Sequence, residues 1–270
     1  MPTLRIATWN INSVRLRAPL VVRFLEEYQP DILCLQETKC PPGQFPAAAF
    51  KQAGYPHIAE NGFTGHHGVA VVSRHAFSQQ SVRPFCNRND GRHICVNPEG
   101  TQLFIHSLYV PAGGDEPDST INPKFAHKLQ FLDELKDWGQ SLRSTANQHH
   151  ILAGDLNIAP LEHDVWSHKQ LLRVVSHTPE ETSRMLDIMQ TCRFHDPVRA
   201  HCPEPEKLYS WWSYRARDWE RADKGRRLDH IWVPDDMSGL CRATSIIREA
   251  RGWDRPSDHA PVILDLDVPI

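Results

Sequence analysis

The segment HHILAGDLN (residues 149–157) shows most plainly how this chain is built, because an apolar run in it ends in polar side chains. The apolar residues predict a short buried β-strand over 150–153. Asp155 and Asn157 follow two residues apart, so they lie on the same side of an extended chain. One acid at a strand end is usually a turn residue or a helix cap, so this segment needs support from elsewhere in the sequence.

The same arrangement, a polar residue in or after an apolar strand, occurs at four further places. These are LRIATWN (4–10), which ends in Asn10; DILCLQE (31–37), which ends in Glu37; GRRLDHIWV (225–233), which contains Asp229; and RPSDHAPVILDL (255–266), which contains Asp258 and His259. Carboxylates gathered at one end of a sheet repel one another and lose hydration, so they persist best around a cation. Oxygen ligands from Asp, Glu and Asn suit Mg²⁺ or Mn²⁺ rather than zinc.

Asp229 and His259 indicate a second kind of chemistry. An Asp that accepts a hydrogen bond from an imidazole orients the ring and supports its charged form, as in catalytic dyads. An imidazolium beside a hydrated cation is well suited to stabilise a phosphate. One pair chosen from 16 histidines is weak evidence, so this interpretation depends on the motifs around it.

Strand and helix patterns alternate along the chain and predict an α/β fold. Helices are predicted over 16–28 and 125–142, and a third begins at Thr178, where Glu181 would complete a capping box. Short apolar or β-branched runs predict strands over 4–9, 31–35, 69–72, 103–110, 150–153, 228–233 and 262–268. These runs are too short, and too often alternate with polar residues, for one buried parallel barrel. Two sheets packed as a sandwich and flanked by helices are the favoured architecture.

The composition is that of an ordinary globular protein. The 270 residues are 40% hydrophobic and 23% charged, without repeats or long linkers, so we expect a single domain over 1–270. Seven cysteines without a CxxC pair predict neither a disulfide framework nor a zinc ribbon. No signal peptide or membrane span is recognised, which favours a cytoplasmic protein. Net charge is −3, but basic residues cluster in 215–227, beside the candidate catalytic residues.

Eight motifs resemble, in order, those of the exonuclease III family of apurinic/apyrimidinic (AP) endonucleases. They are TWNINSVR (8–15), LQETK (35–39), HHGVAVVSR (66–74), LYVPAGG (108–114), GDLNIAP (154–160), YSWWSYR (209–215), GRRLDH (225–230) and SDHAPV (257–262). The pairs GDxN and SDHxP also mark the wider superfamily of DNase I and the inositol-phosphate phosphatases. The resemblance implies a DNase I-like four-layer α/β sandwich, with two central mixed β-sheets flanked by helices.

The resemblance also implies roles for individual residues. Asn10 and Glu37 would help to hold Mg²⁺ (Mn²⁺ being an alternative), with Asp258 nearby. Further metal ligands in the same site would be Asp155, Asn157 and His259, and the number of ions stays open. The catalytic roles fall to five residues: Asp155 orients or deprotonates the attacking water, Asn157 holds water or phosphate, Tyr109 contacts the scissile phosphate, and His259, oriented by Asp229, stabilises the developing charge.

Family enzymes cut double-stranded DNA 5′ to abasic sites, and they remove nucleotides or blocking groups from 3′ ends. By resemblance this chain would do the same as a monomer. The expected DNA contacts are Lys124, Lys128, Trp211, Arg215 and Arg226. Trp211 and Trp212 match the segment that walls the abasic-sugar pocket. Arg226 stands where relatives carry an apolar residue, which leaves open the balance between AP-site incision and exonuclease activity.

Three alternatives remain at this stage. The first is a 3′–5′ exonuclease with little AP-site incision. The second is a phosphoinositide or sphingomyelin phosphodiesterase of the same superfamily, although the Trp-rich segment speaks against it. The third is a DNA-binding module that has lost catalysis, although every expected catalytic position holds a competent residue. Residues 161–177 are expected to touch DNA, but no role is assigned within them.

Overall fold

Two six-stranded β-sheets form the centre of the computed structural model, which describes residues 3–144 and 147–268. The strands, in chain order, are β1 (Leu4–Asn10), β2 (Ile32–Gln36), β3 (His57–Asn61), β4 (Val69–Ser73), β5 (Phe77–Ser81), β6 (His93–Pro98), β7 (Leu103–Tyr109), β8 (His149–Asp155), β9 (Phe194–His195), β10 (Trp211–Trp212), β11 (Gly225–Arg226), β12 (Asp229–Pro234), β13 (Cys241–Ile246) and β14 (Val262–Leu266).

In the residues that the structure describes, three long α-helices and four short ones surround the sheets. They are α1 (Val14–Tyr28), α2 (Ala47–Gln52), α3 (Pro123–Leu142), α4 (His168–Leu171), α5 (Pro179–Cys192), α6 (Pro197–His201) and α7 (Trp219–Ala222). The capping box predicted at the start of α5 is present, because Thr178 Oγ1 accepts from the Glu181 N–H at 3.3 Å and Glu181 Oε2 accepts from the Thr178 N–H at 3.2 Å. None of the helices described is long and apolar enough to cross a membrane.

The two sheets share one topology. Their strand orders are β13-β14-β1-β2-β4-β3 and β5-β6-β7-β8-β12-β9, and β10 pairs with β11 separately. In each six-stranded sheet the central pair is parallel and is joined by a long helix, as β1–α1–β2 and β7–α3–β8. The remaining neighbours are antiparallel. The prediction of two central mixed sheets is therefore confirmed.

The central strands are apolar on both faces, because each sheet is covered on both sides. On β2, Cys34 packs into the core between the sheets, whereas Leu33 packs under α1 and α2. On β8, Ile151 faces the inter-sheet core, whereas Leu152 packs under α3 and α5. This alternation follows from the two-residue period of a strand. It yields four layers, helices on each outer side of two packed sheets.

All seven predicted strands are present, with small differences at their ends. The strands that sequence analysis missed are β3, β5, β6 and β13 and the two-residue strands. Three of them, β3, β5 and β13, lie at or near sheet edges, where polar residues such as those of FSQQS (77–81) are tolerated. Their patterns are therefore too polar to stand out by hydrophobic alternation.

Candidate active site

The carboxyl ends of the parallel strands meet at one edge of the sandwich and carry the polar residues found in the sequence. Asn10 ends β1, and Tyr109 and Asp155 end β7 and β8 opposite each other. Asp229 begins β12 and is the antiparallel register partner of Asp155. Four strands thus deliver their last or first side chain to one place.

Asp155 lies at the centre of the site and is fully buried. Its Oδ2 accepts from Nδ2 of Asn10 at 2.9 Å and from Nδ2 of Asn157 at 3.1 Å, and its Oδ1 accepts from the Asn157 N–H at 2.9 Å. Asn157 has a left-handed backbone, with φ of 54°, which turns its amide back towards the carboxylate. Burial, opposed by the charge of His259 and reinforced by that of Asp229, raises the pKa of Asp155 to about 7.

His259 and Asp229 form the dyad that the sequence predicts. His259 Nδ1 donates to Asp229 Oδ2 at 2.8 Å, which directs Nε2 towards Asp155 Oδ2 at 3.8 Å. Ser210 Oγ donates to the same Asp229 oxygen at 2.7 Å and accepts from the Asp229 N–H at 3.0 Å. Burial lowers an imidazole pKa, but the charges of Asp229 and Asp155 outweigh it and raise the pKa of His259 to about 10. The ring is therefore an imidazolium at neutral pH.

Glu37 forms the other side of the site. Its Oε1 accepts from the Tyr109 hydroxyl at 2.7 Å and from Asn10 Nδ2 at 3.1 Å, and Lys39 Nζ lies 2.7 Å from its Oε2. Burial opposes ionisation, but the hydrogen bond and charge of Lys39, aided by Tyr109 and Asn10, lower the pKa of Glu37 to about 2. Burial and the charges of Glu37 and Asp155 raise the pKa of Tyr109 well above its ordinary value, so its hydroxyl stays a neutral donor.

Asp258 is connected to the Glu37 side through Asn12. Asn12 Nδ2 donates to Asp258 Oδ1 at 3.2 Å, and the Asn12 N–H donates to Asn10 Oδ1 at 3.1 Å. Trp211 Nε1 donates to Asp258 Oδ2 at 2.9 Å, so the indole fixes this carboxylate from the opposite side. Asp258 is partly exposed, unlike the fully buried Asp229.

Two groups of side chains in the described chain could hold a cation. On one side, Asn10, Glu37 and Asp258 offer amide and carboxylate oxygens, and the low pKa of Glu37 keeps it ionised. This oxygen donor set fits a hard divalent ion. On the other side, ligand atoms of Asp155, Asp229 and His259 lie within 4.8 Å of one another, and Asp229 Oδ1 is buried without a hydrogen-bond partner among the described residues.

One expected DNA contact is wrong. Lys128 is completely buried in α3, where its Nζ lies 2.5 Å from Glu181 Oε1 and donates to the Asn157 carbonyl at 2.8 Å. No part of it reaches the surface, so it supports the active-site loop from behind. Lys124 and Arg215 are exposed, as a phosphate contact requires.

The two tryptophans of the YSWWSYR segment have different surroundings. Trp212 is buried, donates from Nε1 to Asp223 Oδ1 at 3.0 Å and packs against Trp219, so it is a core residue. Trp211 is partly exposed and stands beside the site, since it forms a backbone bridge with His259. Its cross-strand partner is Arg226, whose guanidinium carbon lies 5.3 Å from the indole centroid.

Sequence analysis assigns no role to three residues that build the site. Lys39 neutralises Glu37, Asn12 connects Asn10 to Asp258, and Ser210 holds Asp229. All three lie inside motifs that were quoted for their neighbours, so proximity to those residues was the available signal. Lys39 lies only two residues from Glu37, whereas Asn12 and Ser210 meet partners that are distant along the chain, Asp258 and Asp229, and only the fold brings those pairs together.

The chain belongs to the Endonuclease/Exonuclease/phosphatase family, whose sequence profile matches residues 7–259. Exodeoxyribonuclease III of Haemophilus influenzae is 29% identical to it over 96% of this chain and 98% of that protein. An AP endonuclease structure from Archaeoglobus fulgidus has 30% sequence identity and a TM-score of 0.89, covering 98% of this chain and 100% of that one. A 3′ phosphatase from Neisseria, bound to a product DNA hairpin, has 29% identity and a TM-score of 0.88, with 98% and 100% covered. The resemblance to exonuclease III enzymes, and with it the prediction of a hydrolytic nuclease, is confirmed.

Proposed function

We propose that this chain is a Mg²⁺-dependent DNA-repair phosphodiesterase that cleaves double-stranded DNA 5′ to abasic sites and removes nucleotides or blocking groups from 3′ ends. The observation that carries the proposal is that one site contains two carboxylates whose pKa values are shifted in opposite directions. Glu37 has a pKa of about 2, whereas Asp155 has a pKa of about 7 and lies 3.8 Å from a charged imidazole. We assign this activity to residues 1–270 acting as one domain and as a monomer.

Asp155 would act on the attacking water. A general base works best when its pKa lies near the operating pH, and the pKa of about 7 for Asp155 meets this condition. The two hydrogen bonds from Asn157 hold its carboxylate in one orientation. Asn157 would also contact the water or the phosphate.

His259 and Tyr109 would bind the scissile phosphate. The imidazolium of His259, held by Asp229, offers a positive charge to the oxygens that gain charge during hydrolysis. The neutral hydroxyl of Tyr109 can turn from Glu37 to a phosphate oxygen. Lys124, Trp211, Arg215 and Arg226 would contact the rest of the DNA.

Asn10, Glu37 and Asp258 would hold the divalent cation, with Asp155 and Asn157 as further donors to it or to a second ion. His259 would join them only with its ring in the neutral form, since an imidazolium has no lone pair to give a metal. When bound, such an ion polarises a phosphoryl oxygen and stabilises the leaving 3′-oxygen. The oxygen ligands of the first group favour Mg²⁺ or Mn²⁺. The Oδ1 of Asp229, buried and without a hydrogen-bond partner in the described part of the chain, supports a further positive or hydrogen-bonding group beside Asp155.

The test is cleavage of a 5′-labelled duplex that carries one tetrahydrofuran abasic analogue, with Mg²⁺ and with EDTA. We expect a single Mg²⁺-dependent product that ends 5′ to the lesion, and its loss in Asp155→Asn. A ladder from the 3′ end without that incision would support the exonuclease alternative. Hydrolysis of a soluble inositol polyphosphate, with the duplex left intact, would overturn the proposal.

A further inference from the structure

Two adjacent arginines in β11 and after it have opposite charge environments. Arg227 is fully buried, and its guanidinium bonds Asp164 and Asp196 at 2.5 to 3.0 Å. Arg226 is partly buried, and in the described chain it forms no ion pair. Its Nη1 donates only to neutral oxygens, the Val175 carbonyl at 3.0 Å and Ser176 Oγ at 2.7 Å.

Glu181 is the acid whose charge acts on Arg226, and it is already paired with a cation. Glu181 contributes to the electrostatics of Arg226, but its carboxylate lies 2.5 Å from Lys128 Nζ. It also accepts from the Ser176 N–H and from the N–H and hydroxyl of Thr178. Lys128 and Glu181 therefore cancel, and the positive charge of Arg226 is left over.

Arg226 is held in place rather than free to turn into solvent. Ser176 and Val175 fix Nη1, and the face of Trp211 supports the guanidinium at 5.3 Å. Its Nε is buried without a partner among the described residues. A partly buried charge without a counter-ion costs free energy, and a bound anion removes that cost.

Trp211 connects this cation to the reacting groups. Its indole N–H bonds Asp258, and its backbone bridges to His259. Arg226 is the register neighbour of Trp211 across the β10–β11 pair, so both side chains line the same wall. The charge of Arg226 therefore stands on the wall that Trp211 shares with Asp258 and His259.

We propose that Arg226 makes this pocket selective for DNA whose 3′ end carries a small anionic group, a 3′-phosphate or 3′-phosphoglycolate, over DNA with an uncharged abasic sugar. This inference rests on the proposed phosphodiesterase function and specifies its substrate. The guanidinium pairs with the terminal oxygens of the group, as charge-assisted hydrogen bonds. A phosphate monoester carries more charge than an internal diester, so it gains more from the pairing.

The chemistry is hydrolysis in both cases. Water adds to phosphorus, the bond from phosphorus to the 3′-oxygen breaks, and that oxygen leaves with the bonding electrons and takes up a proton. One water is consumed. The products are a 3′-hydroxyl end and either inorganic phosphate or phosphoglycolate.

The experiment compares kcat/KM on three duplexes, one with a 3′-phosphate, one with a 3′-phosphoglycolate and one with an internal tetrahydrofuran site. We expect Arg226→Leu to lower the ratio of anionic-end to tetrahydrofuran cleavage by about 10- to 100-fold, the value of one or two charge-assisted hydrogen bonds. Arg226→Lys should retain part of the ratio. Arg217→Leu, a change of an exposed arginine in the same basic segment, should leave the ratio unchanged.

A second measurement keeps the test independent of the long substrates. Inorganic phosphate should inhibit tetrahydrofuran cleavage by the wild type, and Arg226→Leu should weaken that inhibition by about 10-fold or more. An unchanged ratio together with unchanged phosphate inhibition overturns the inference, whereas loss on the 3′-phosphate arm alone restricts it to that end group. If the wild type cleaves none of the duplexes with Mg²⁺, the proposed function itself fails. Melting temperatures of the variants separate lost folding from lost selectivity.

Discussion

Each of the two sheets contains a parallel strand pair joined by a helix, and each pair brings one carboxylate to the active site. The first unit, β1–α1–β2, presents Glu37 with Lys39 directly beside it at 2.7 Å, and the pKa of Glu37 is lowered to about 2. The second unit, β7–α3–β8, presents fully buried Asp155 next to Asp229, and its pKa is raised to about 7.

The same topology thus supports two different electrostatic tasks. The cation of the second unit, Lys128, is placed behind the active-site loop and paired with Glu181, so it does not neutralise Asp155 directly. A carboxylate that is always ionised suits a metal ligand, whereas one with a pKa near 7 suits proton transfer. We infer that the first unit serves the cation and the second serves the water.

The largest effect is expected at Gly154, where the strands of the second unit approach closely. A Cβ there would lie 1.9 Å from the Leu108 carbonyl oxygen, whereas the equivalent register position of the first unit holds Leu35. Gly154→Ala should destabilise the protein by about 4–5 kcal/mol, since backbone cannot yield in a central strand. Urea denaturation measures this. Gly239→Ala, with nothing within 4 Å, is the control, and equal stability of both variants would disprove the close approach.

The second prediction concerns the cation behind the loop. Lys128→Met should cost about 3 kcal/mol of unfolding free energy, because it leaves the buried Glu181 carboxylate without its charge partner. Exposed Lys124→Ala should keep stability and reduce the slope of log K against log salt for DNA binding by about 1. A stable Lys128→Met protein with a reduced salt slope would instead make Lys128 a DNA contact.

The periodicity of α3 contains a signal for the burial of Lys128, although the charge of this residue suggests exposure. Phe125, Leu129 and Leu132 form the apolar stripe of α3, and Lys128 lies three residues after Phe125 on the same face. Its partner Glu181 was recognised in the sequence only as part of a capping box, which is half of its role. Long-range pairing of two charges leaves no local pattern, so the sequence alone predicts that this lysine lies at the surface.

The candidate catalytic residues were more predictable, because each interrupts or follows an apolar strand. Asp155 and Asp229 stand out for being acidic where burial is required, and the fold makes them register partners. Their pKa values could not be derived from sequence, since these depend on which charges become neighbours. Lys39 and Ser210 were missed because their chemistry is ordinary until the fold places them against Glu37 and Asp229.

The third prediction weakens the second unit without removing Asp155. Asp229→Asn should lower kcat by about 10²- to 10³-fold, because His259 loses the carboxylate that orients it and supports its charge. Single-turnover cleavage of the tetrahydrofuran duplex measures the chemical step. Ser210→Ala, which removes one hydrogen bond to Asp229, should lower kcat less. A larger loss in Ser210→Ala than in Asp229→Asn would show that Asp229 is not the main support of His259.

The smallest expected effect is on the free energy of unfolding at low pH. It arises from three buried histidines of the second sheet. His93 Nε2 on β6 lies 2.9 Å from His106 Nδ1 on β7. His106 Nε2 in turn lies 3.0 Å from His150 Nδ1 on β8. Burial lowers the pKa of His93 to about 3 and that of His150 to about 4, and burial places that of His106 well below its ordinary value.

These histidines are neutral in the folded protein, while the unfolded chain takes up protons near pH 6.5. Their stabilisation is thus complete above about pH 6.5 and is lost as the pH falls towards 4 and 3. Urea denaturation at several pH values should give a slope that is shallower in His106→Gln. Exposed His201→Gln should keep the wild-type slope, and an equal loss of slope in both would refute the assignment.

The division of tasks between the two units is tested most directly by a Mg²⁺ titration of tetrahydrofuran cleavage in Glu37→Gln and Asp155→Asn. We expect Glu37→Gln to raise the half-saturating Mg²⁺ concentration by about 10- to 100-fold. Asp155→Asn should instead lower kcat at saturating Mg²⁺ by about 10³- to 10⁴-fold with little change in half-saturation. The opposite assignment, in which Asp155→Asn shifts the Mg²⁺ requirement and Glu37→Gln changes only kcat, would contradict the account.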